Sequence, residues 1–143
     1  MTPNKEDYLK CIYEIGTDMQ KITNKEISAR MQVSPPAVTE MIKRMKSENL
    51  ILKDKENGYL LTDIGLKLVS ELYRKHRLIE VFLVHHLDYT SDQIHEEAEV
   101  LEHTVSDLFV KRLDKLLGFP QTCPHGGTIP AEGELLVEIN NLP

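Results

Sequence analysis

The sequence predicts a mostly α-helical chain: an N-terminal winged helix-turn-helix followed by a second α-helical domain. Three observations predict it. Two short helical segments, KEISARM and PPAVTEMIKRMKSENL, are split by the tight break Gln32-Val33-Ser34, which is the helix-turn-helix pattern. Two short apolar runs around an Asn-Gly turn follow at residues 50–61, a hairpin suited to a wing. From Asp63 a long apolar-periodic segment begins, and two further helical segments follow it.

Residues 4–17 read as a helix with Asn4 as cap and Leu9, Ile12 and Tyr13 on one face. Gly16-Thr17-Asp18 reads as its stop. Thr23 or Asn24 opens the second helix, with Ile27, Ala29 and Met31 as its apolar positions. Ser34 caps the third, Pro35 stands in its first turn where proline is tolerated, and Val38, Ile42 and Met45 form its buried stripe. Leu50–Lys53 and Tyr59–Leu61 are the wing strands, with Asn57-Gly58 supplying positive φ between them. Thr62-Asp63 caps a helix running to about His86, through Ile64, Leu68, Leu72, Ile79, Phe82 and Leu83. Its length suits a connector, and the domains are expected at 1–72 and 73–143. Ser91 is the expected cap of the next helix, DQIHEEAEVLEH, and Asp107–Leu117 is the last, ended by Gly118. The tail, rich in Pro and Gly, is expected to be irregular.

Net charge is −6 over 143 residues, which is unusual for a chain that meets nucleic acid. Its distribution is more telling. Residues 1–62 carry 10 Lys+Arg against 9 Asp+Glu, and residues 63–143 carry 7 against 14, so +1 and −7 make up the total. Lys43, Arg44, Lys46, Lys53 and Lys55 cluster late in the first part, and a phosphate backbone meets local charge. The acidic second half suggests cations as partners. No apolar run is long enough to span a membrane, and the polar, acid-bearing N-terminus is not a secretory signal. Two cysteines, Cys11 and Cys123, make no disulfide framework. A cytoplasmic protein with reduced thiols is the expectation.

The chemistry is concentrated in two neighbouring helices. His76 and Glu80 are four apart and share a helix face. His95, Glu99, Glu102 and His103 follow at spacings of four, three and one. Imidazole nitrogen with carboxylate oxygen suits Mn, Fe, Co, Ni or Zn ions, and a cation relieves the repulsion among Glu97, Glu99 and Glu102. Asp7 is a further candidate from the first helix. Each residue alone is more readily a surface polar group; the set at helical spacing is what points to metal. Cys11 reads as a small buried hydrophobe. Cys123 and His125, two apart on a loop, are a weaker ligand pair.

VSPPAVTEMIKRM, the wing followed by LTDIG, HRLIEVFL, HEEAEVLEH and CPHGGTIP occur in order over essentially the whole chain. Together they resemble the diphtheria-toxin-repressor and manganese-transport-regulator family, and most of all its streptococcal manganese-dependent members. The resemblance implies a metal-dependent transcriptional repressor of metal-uptake genes, not an enzyme, acting as a homodimer on a palindromic operator in double-stranded DNA. It implies two sites per subunit, one from His76, Glu80 and His95, the other from Asp7, Glu99, Glu102 and His103. Iron-responsive members have sulfur-bearing residues where this chain has Asp7 and Glu99; two carboxylates there favour Mn(II), with Fe(II) or Zn(II) as alternatives. Compact two-domain manganese regulators carry an additional carboxylate early in the first helix, where this chain has Lys10-Cys11, so a dinuclear cluster is not expected. Longer members continue into a third, SH3-like domain that can contribute ligands to the first site; this sequence stops at Pro143, so either it is a truncation or Cys123, His125 or water completes that site.

On that reading Ser34, Thr39, Lys43, Arg44, Lys53 and Lys55 are suited to phosphate. Pro36 and Ala37 can touch thymine methyls, and Glu40 can accept from cytosine N4. Val100, Leu101, Val105, Leu108 and Phe109 are candidates for the dimer interface or for the domain's own core. Two other readings stay open: a metallohydrolase using the His/Glu cluster, and a winged-helix regulator answering an organic ligand.

Overall fold

A computed structural model describes residues 4–136. Its elements are α1 (Lys5–Thr17), α2 (Asn24–Met31), α3 (Pro35–Ser47), β1 (Ile51–Asp54), β2 (Gly58–Leu61), α4 (Asp63–Leu87), α5 (Ile94–Leu101) and α6 (Asp107–Leu116). These are the winged helix-turn-helix and the following helical domain that the sequence predicts. The chain divides into two compact units, one ending at Val69 and the other spanning Ser70–Glu134, with Leu135 and Leu136 grouped with the first.

In the first unit, α1 starts at a capping box: Asn4 Oδ1 accepts from Asp7 N–H at 3.0 Å and Asp7 Oδ2 accepts from Asn4 N–H at 2.9 Å. Thr23 and Ser34 cap α2 and α3 through their hydroxyls. The core is Leu9, Ile12 and Ile15 of α1, Ile27 of α2, and Val38, Ile42 and Met45 of α3, all buried. Ala29, expected as apolar contact in α2, faces solvent, and only Ile27 of that helix is buried. The sequence pattern carries the third helix on to Leu50, but α3 stops at Ser47. Asn49 takes a positive φ of 61°, and Leu50 N–H then returns to Met45 O at 2.9 Å, an αL exit that asparagine tolerates.

The wing pairs Ile51 with Leu61 and Asp54 with Gly58, antiparallel. Of Asn57 and Gly58, only Gly58 has positive φ, at 85°. Asp54 Oδ2 organises the turn instead, accepting from the backbone of Glu56 and Asn57. Gly58 is required for a second reason: a Cβ there would lie 2.0 Å from Ile22 O, because Ile22 N–H donates to Asn57 O at 2.8 Å. Tyr59 OH donates to Asn24 Oδ1 at 2.8 Å, so the wing is held to the start of α2.

In the second unit, Leu78, Ile79, Val81 and Leu83 of α4 pack with Ile94 and Ala98 of α5, Val110 and Leu113 of α6, and Cys123 and Ile129 of the following loop. The fifth helix is shorter than expected. It spans only Ile94–Leu101, without a side-chain cap; Ser91 lies outside it, and Glu102 and His103 fall in the turn after it. Asp88, at φ 57°, ends α4. Ser106 caps α6 by accepting from Phe109 N–H. The expected irregular tail holds one isolated bridge, Thr122 to Thr128. Of the apolar residues with two candidate roles, Leu101 and Val105 pack against the core, while Val100, Leu108 and Phe109 are about half exposed, at 52, 60 and 47%.

Candidate metal centre

Burying a carboxylate costs several kcal/mol unless its charge is met, and the second unit buries two. Glu80 is 2% exposed and Glu102 is 1% exposed. Between them stands His76, 5% exposed. Its Nδ1 lies 2.6 Å from Glu102 Oε1 and its Nε2 lies 3.3 Å from Glu80 Oε2. The i, i+4 placement on α4 brings His76 and Glu80 together. Glu102 arrives from the turn closing α5.

Glu80 is the hub. It groups with His76 and His95 in one triad and with Cys123 and His125 in another, the ligand atoms of each triad lying within 4.8 Å of one another. His125 Nδ1 is 3.3 Å from Glu80 Oε2. That oxygen is fully buried and makes no hydrogen bond among the described residues. Native proteins rarely leave such an atom without a partner, and a bound ion is one way to supply it. Burial by itself would raise the Glu80 carboxyl, but His76, His125 and His95 around it hold it below the ordinary carboxylate range. The donor set of carboxylate, imidazole and thiol fits a divalent transition ion. Glu99 sits with Glu102 and His76 in a further group, and His95 Nε2 is 3.2 Å from Glu99 Oε1.

The loop bearing Cys123 and His125 is fixed from within the unit. Cys123 N–H donates to Gly127 O at 2.9 Å, and Gly127 N–H donates to Cys123 Sγ at 3.3 Å. Gly127 lies against Arg77: a Cβ there would meet the guanidinium at 3.0 Å. Arg77 donates to Thr128 O. Arg74 donates to Pro130 O and to Asp114 Oδ2, at 3.3 and 3.1 Å. These two arginines flank His76 on α4. Sequence reading missed them, since nothing in their spacing marks a partner some fifty residues away.

Asp7 and the candidates for DNA contact are in the first unit. Asp7 is in the capping box of α1. Ser34, Pro36, Ala37, Thr39, Glu40, Lys43, Arg44, Lys53 and Lys55 are all exposed. Ser34 Oγ accepts from Ala37 N–H, and Thr39 donates its hydroxyl to Pro35 O. Both hydroxyls thus serve the backbone of α3.

A winged reader joined to a helical unit with buried carboxylates and imidazoles defines a class of two-domain, ligand-bearing winged-helix proteins. The chain belongs to the iron-dependent repressor family, that of the diphtheria toxin repressor and the manganese-transport regulators. It matches the iron dependent repressor N-terminal DNA binding domain over residues 1–59 and the iron dependent repressor metal binding and dimerisation domain over residues 62–131. The family is made up of transcriptional repressors, not enzymes.

The chain is 32% identical over 130 residues to the diphtheria toxin repressor of Corynebacterium diphtheriae, covering 91% of this chain and 58% of that protein. It is 33% identical over 130 residues to the iron-dependent repressor IdeR of Mycobacterium tuberculosis, covering 91% and 56%. Among solved structures, ScaR with bound Zn2+ is 76% identical, with a TM-score of 0.90, over 96% of this chain and 64% of that one. The manganese regulator SloR is 66% identical, with a TM-score of 0.86, over 97% and 65%. The chain therefore spans less than two thirds of the length of these relatives.

Proposed function

We propose that this chain is a metal-dependent, DNA-binding transcriptional repressor, responsive to Mn(II) and controlling metal-uptake genes. The observation that carries the reading is Glu80 Oε2: a buried, unsatisfied carboxylate oxygen ringed by imidazole and thiol donors, in a chain whose other unit is a winged reader. The work divides between residues 1–72, which read DNA, and residues 73–143, which hold metal and dimerise. One ion is held by His76, Glu80 and His95, with Cys123 and His125 as further donors. The other is held by Glu99, Glu102 and His103, with Asp7 from the first helix. Bound there, a divalent ion supplies the positive charge that these carboxylates lack. The preponderance of carboxylate in the second set favours Mn(II) over softer ions, and the similar protein SloR is a manganese regulator.

The chain's own groups do the rest. Lys43, Arg44, Lys53 and Lys55 meet phosphates, with Ser34 and Thr39 at the helix start, so affinity falls steeply with salt. Pro36, Ala37 and Glu40 face base edges. Val100, Leu108 and Phe109 supply the exposed apolar surface of a homodimer, which presents two readers to a palindromic operator. Fluorescence anisotropy on a labelled palindromic duplex tests this. Binding should rise on adding Mn(II) and reverse on adding chelator. Equal binding with and without metal would reject metal control and favour regulation by an organic ligand.

A further inference from the structure

We propose that Arg74 is a positioning residue for the candidate metal centre: oriented by Asp114 of α6, it pins Pro130 O and so sets where the loop before Pro130 presents Cys123 and His125 to Glu80. The inference rests on the metal-dependent reading of that centre.

The ligand atoms of Cys123 and His125 lie within 4.8 Å of each other and of Glu80, and a displacement of about 1 Å is enough to spoil such a set. The loop closes on itself through Ile129 N–H to Gln121 O and Cys123 N–H to Gly127 O, both at 2.9 Å. Those bonds fix its shape but not its place on α4. Two guanidiniums three residues apart on α4 fix the place: Arg77 donates to Thr128 O and Arg74 to Pro130 O. Glu80 is three residues further along the same helix, so the three follow one side of it. From the ligand tip at Glu80 the chain descends α4 past Arg77 to Arg74. The Arg77 bond is exposed, whereas the Arg74 bond, at 3.3 Å, is buried. Water can replace the first at little cost but not the second. Asp114 Oδ2 accepts from the other Arg74 amino group at 3.1 Å, with the two side chains only 6 and 15% exposed, which leaves the guanidinium one orientation. A pair buried this far gains little net stability, because desolvation offsets attraction; its more direct consequence is the geometry it fixes. Groups that hold ligands in this way typically control metal affinity about 10–100-fold.

Two substitutions release the anchor. Arg74→Met keeps the apolar stem and removes both donated bonds. Asp114→Asn keeps an acceptor but removes the charge that orients Arg74. The test uses the full chain with Co(II). The thiolate-to-Co(II) charge-transfer band reports the ion beside Cys123, with Cys123→Ser as its control, and competition with a chromophoric chelator gives the affinity. Arg74→Met should weaken Co(II) binding by about 10-fold or more and lower the band per bound ion, because the thiolate is no longer held in place. Asp114→Asn should act in the same direction and less. In a background that has lost both loop donors, Cys123→Ser with His125→Ala, Arg74→Met should change Co(II) affinity by less than about 2-fold, since residues acting through one another are not additive. Circular dichroism identifies a variant that fails to fold; if Arg74→Met does, Asp114→Asn decides in both backgrounds.

Unchanged affinity and band in the folded variant would overturn the proposal. So would an equal loss in the background without loop donors, which would make Arg74 a stitch of the fold with no hold on the ligands, or the absence of any thiolate band in wild type. An Arg74-dependent band in a chain whose DNA binding ignores Mn(II) would leave this inference standing and sink the repressor reading instead.

Discussion

The two units place their functional groups on opposite sides of the solvent boundary. In the first, Ser34, Pro36, Ala37, Glu40, Lys43 and Arg44 stand exposed on α3 and its cap, and the side chains that α2 and α3 bury, Ile27, Val38, Ile42 and Met45, are apolar; the buried charged side chain of that unit, among the described residues, is Lys10 of α1. On the proposed function, reading and folding are separate tasks there, done by different residues. In the second, His76, Glu80 and Glu102 are buried beside Leu78, Ile79 and Ala98. The groups expected to bind are also groups the fold must tolerate. A buried carboxylate without a full set of partners is costly, so this unit is tuned to a ligand in a way the reader is not.

Changes to the two units should therefore fail differently. The largest effect is expected from Glu80→Ala. It removes the hub of both triads, so metal affinity at that cluster should fall by at least the roughly 100-fold that orienting partners alone can control. Anisotropy should then show DNA binding at its metal-free level whatever Mn(II) is added. An unaltered Mn(II) response would break the comparison.

Next is Gly58→Ala, which should damage only the reader. A side chain at φ 85° costs about 1–2 kcal/mol, and the clash with Ile22 O also strains the Ile22–Asn57 hydrogen bond. A loss of about 3 kcal/mol in urea unfolding of the wing unit is expected, with Co(II) binding at Cys123 retained.

The smallest effect concerns Cys11. Burial and the nearby Glu14 carboxylate push its thiol from 9.0 up to about 11. Unfolded chain then loses the proton first as pH rises, so the contribution to stability is complete below pH 9 and is lost as pH climbs through about 11. The stability gap between wild type and Cys11→Ala should shift against wild type by about 2 kcal/mol between pH 8 and pH 11. A gap that is flat with pH would show that the thiol is not desolvated.

The reader was legible because its signals are local. Asn4, Thr23 and Ser34 cap the helices that follow them, and the stripe Val38, Ile42, Met45 is buried. The mistakes are local competitions decided by tertiary context. Asn49 takes an αL exit that sequence does not distinguish from another helical turn. At α5, Ser91 is the expected cap, but the helix begins at Ile94 without a side-chain cap. In the candidate metal centre, spacing could pair His76 with Glu80, one helical turn away. It could not show that Glu102 faces His76 across 26 residues, nor that the Cys123 loop closes on Glu80 under Arg74 and Arg77. Those contacts depend on how α4, α5 and the loop pack, which no local pattern encodes.

The central claim is that the acidic cluster and the basic reader share one free energy. Reciprocity gives its most direct test: Mn(II) affinity measured by electron paramagnetic resonance, with and without operator duplex at fixed salt. DNA should tighten Mn(II) binding by the same factor by which Mn(II) tightens DNA binding, about 5–150-fold for a typical coupling. Mn(II) affinity that is indifferent to DNA would contradict the account, because two sites that do not feel each other cannot make a metal-dependent repressor.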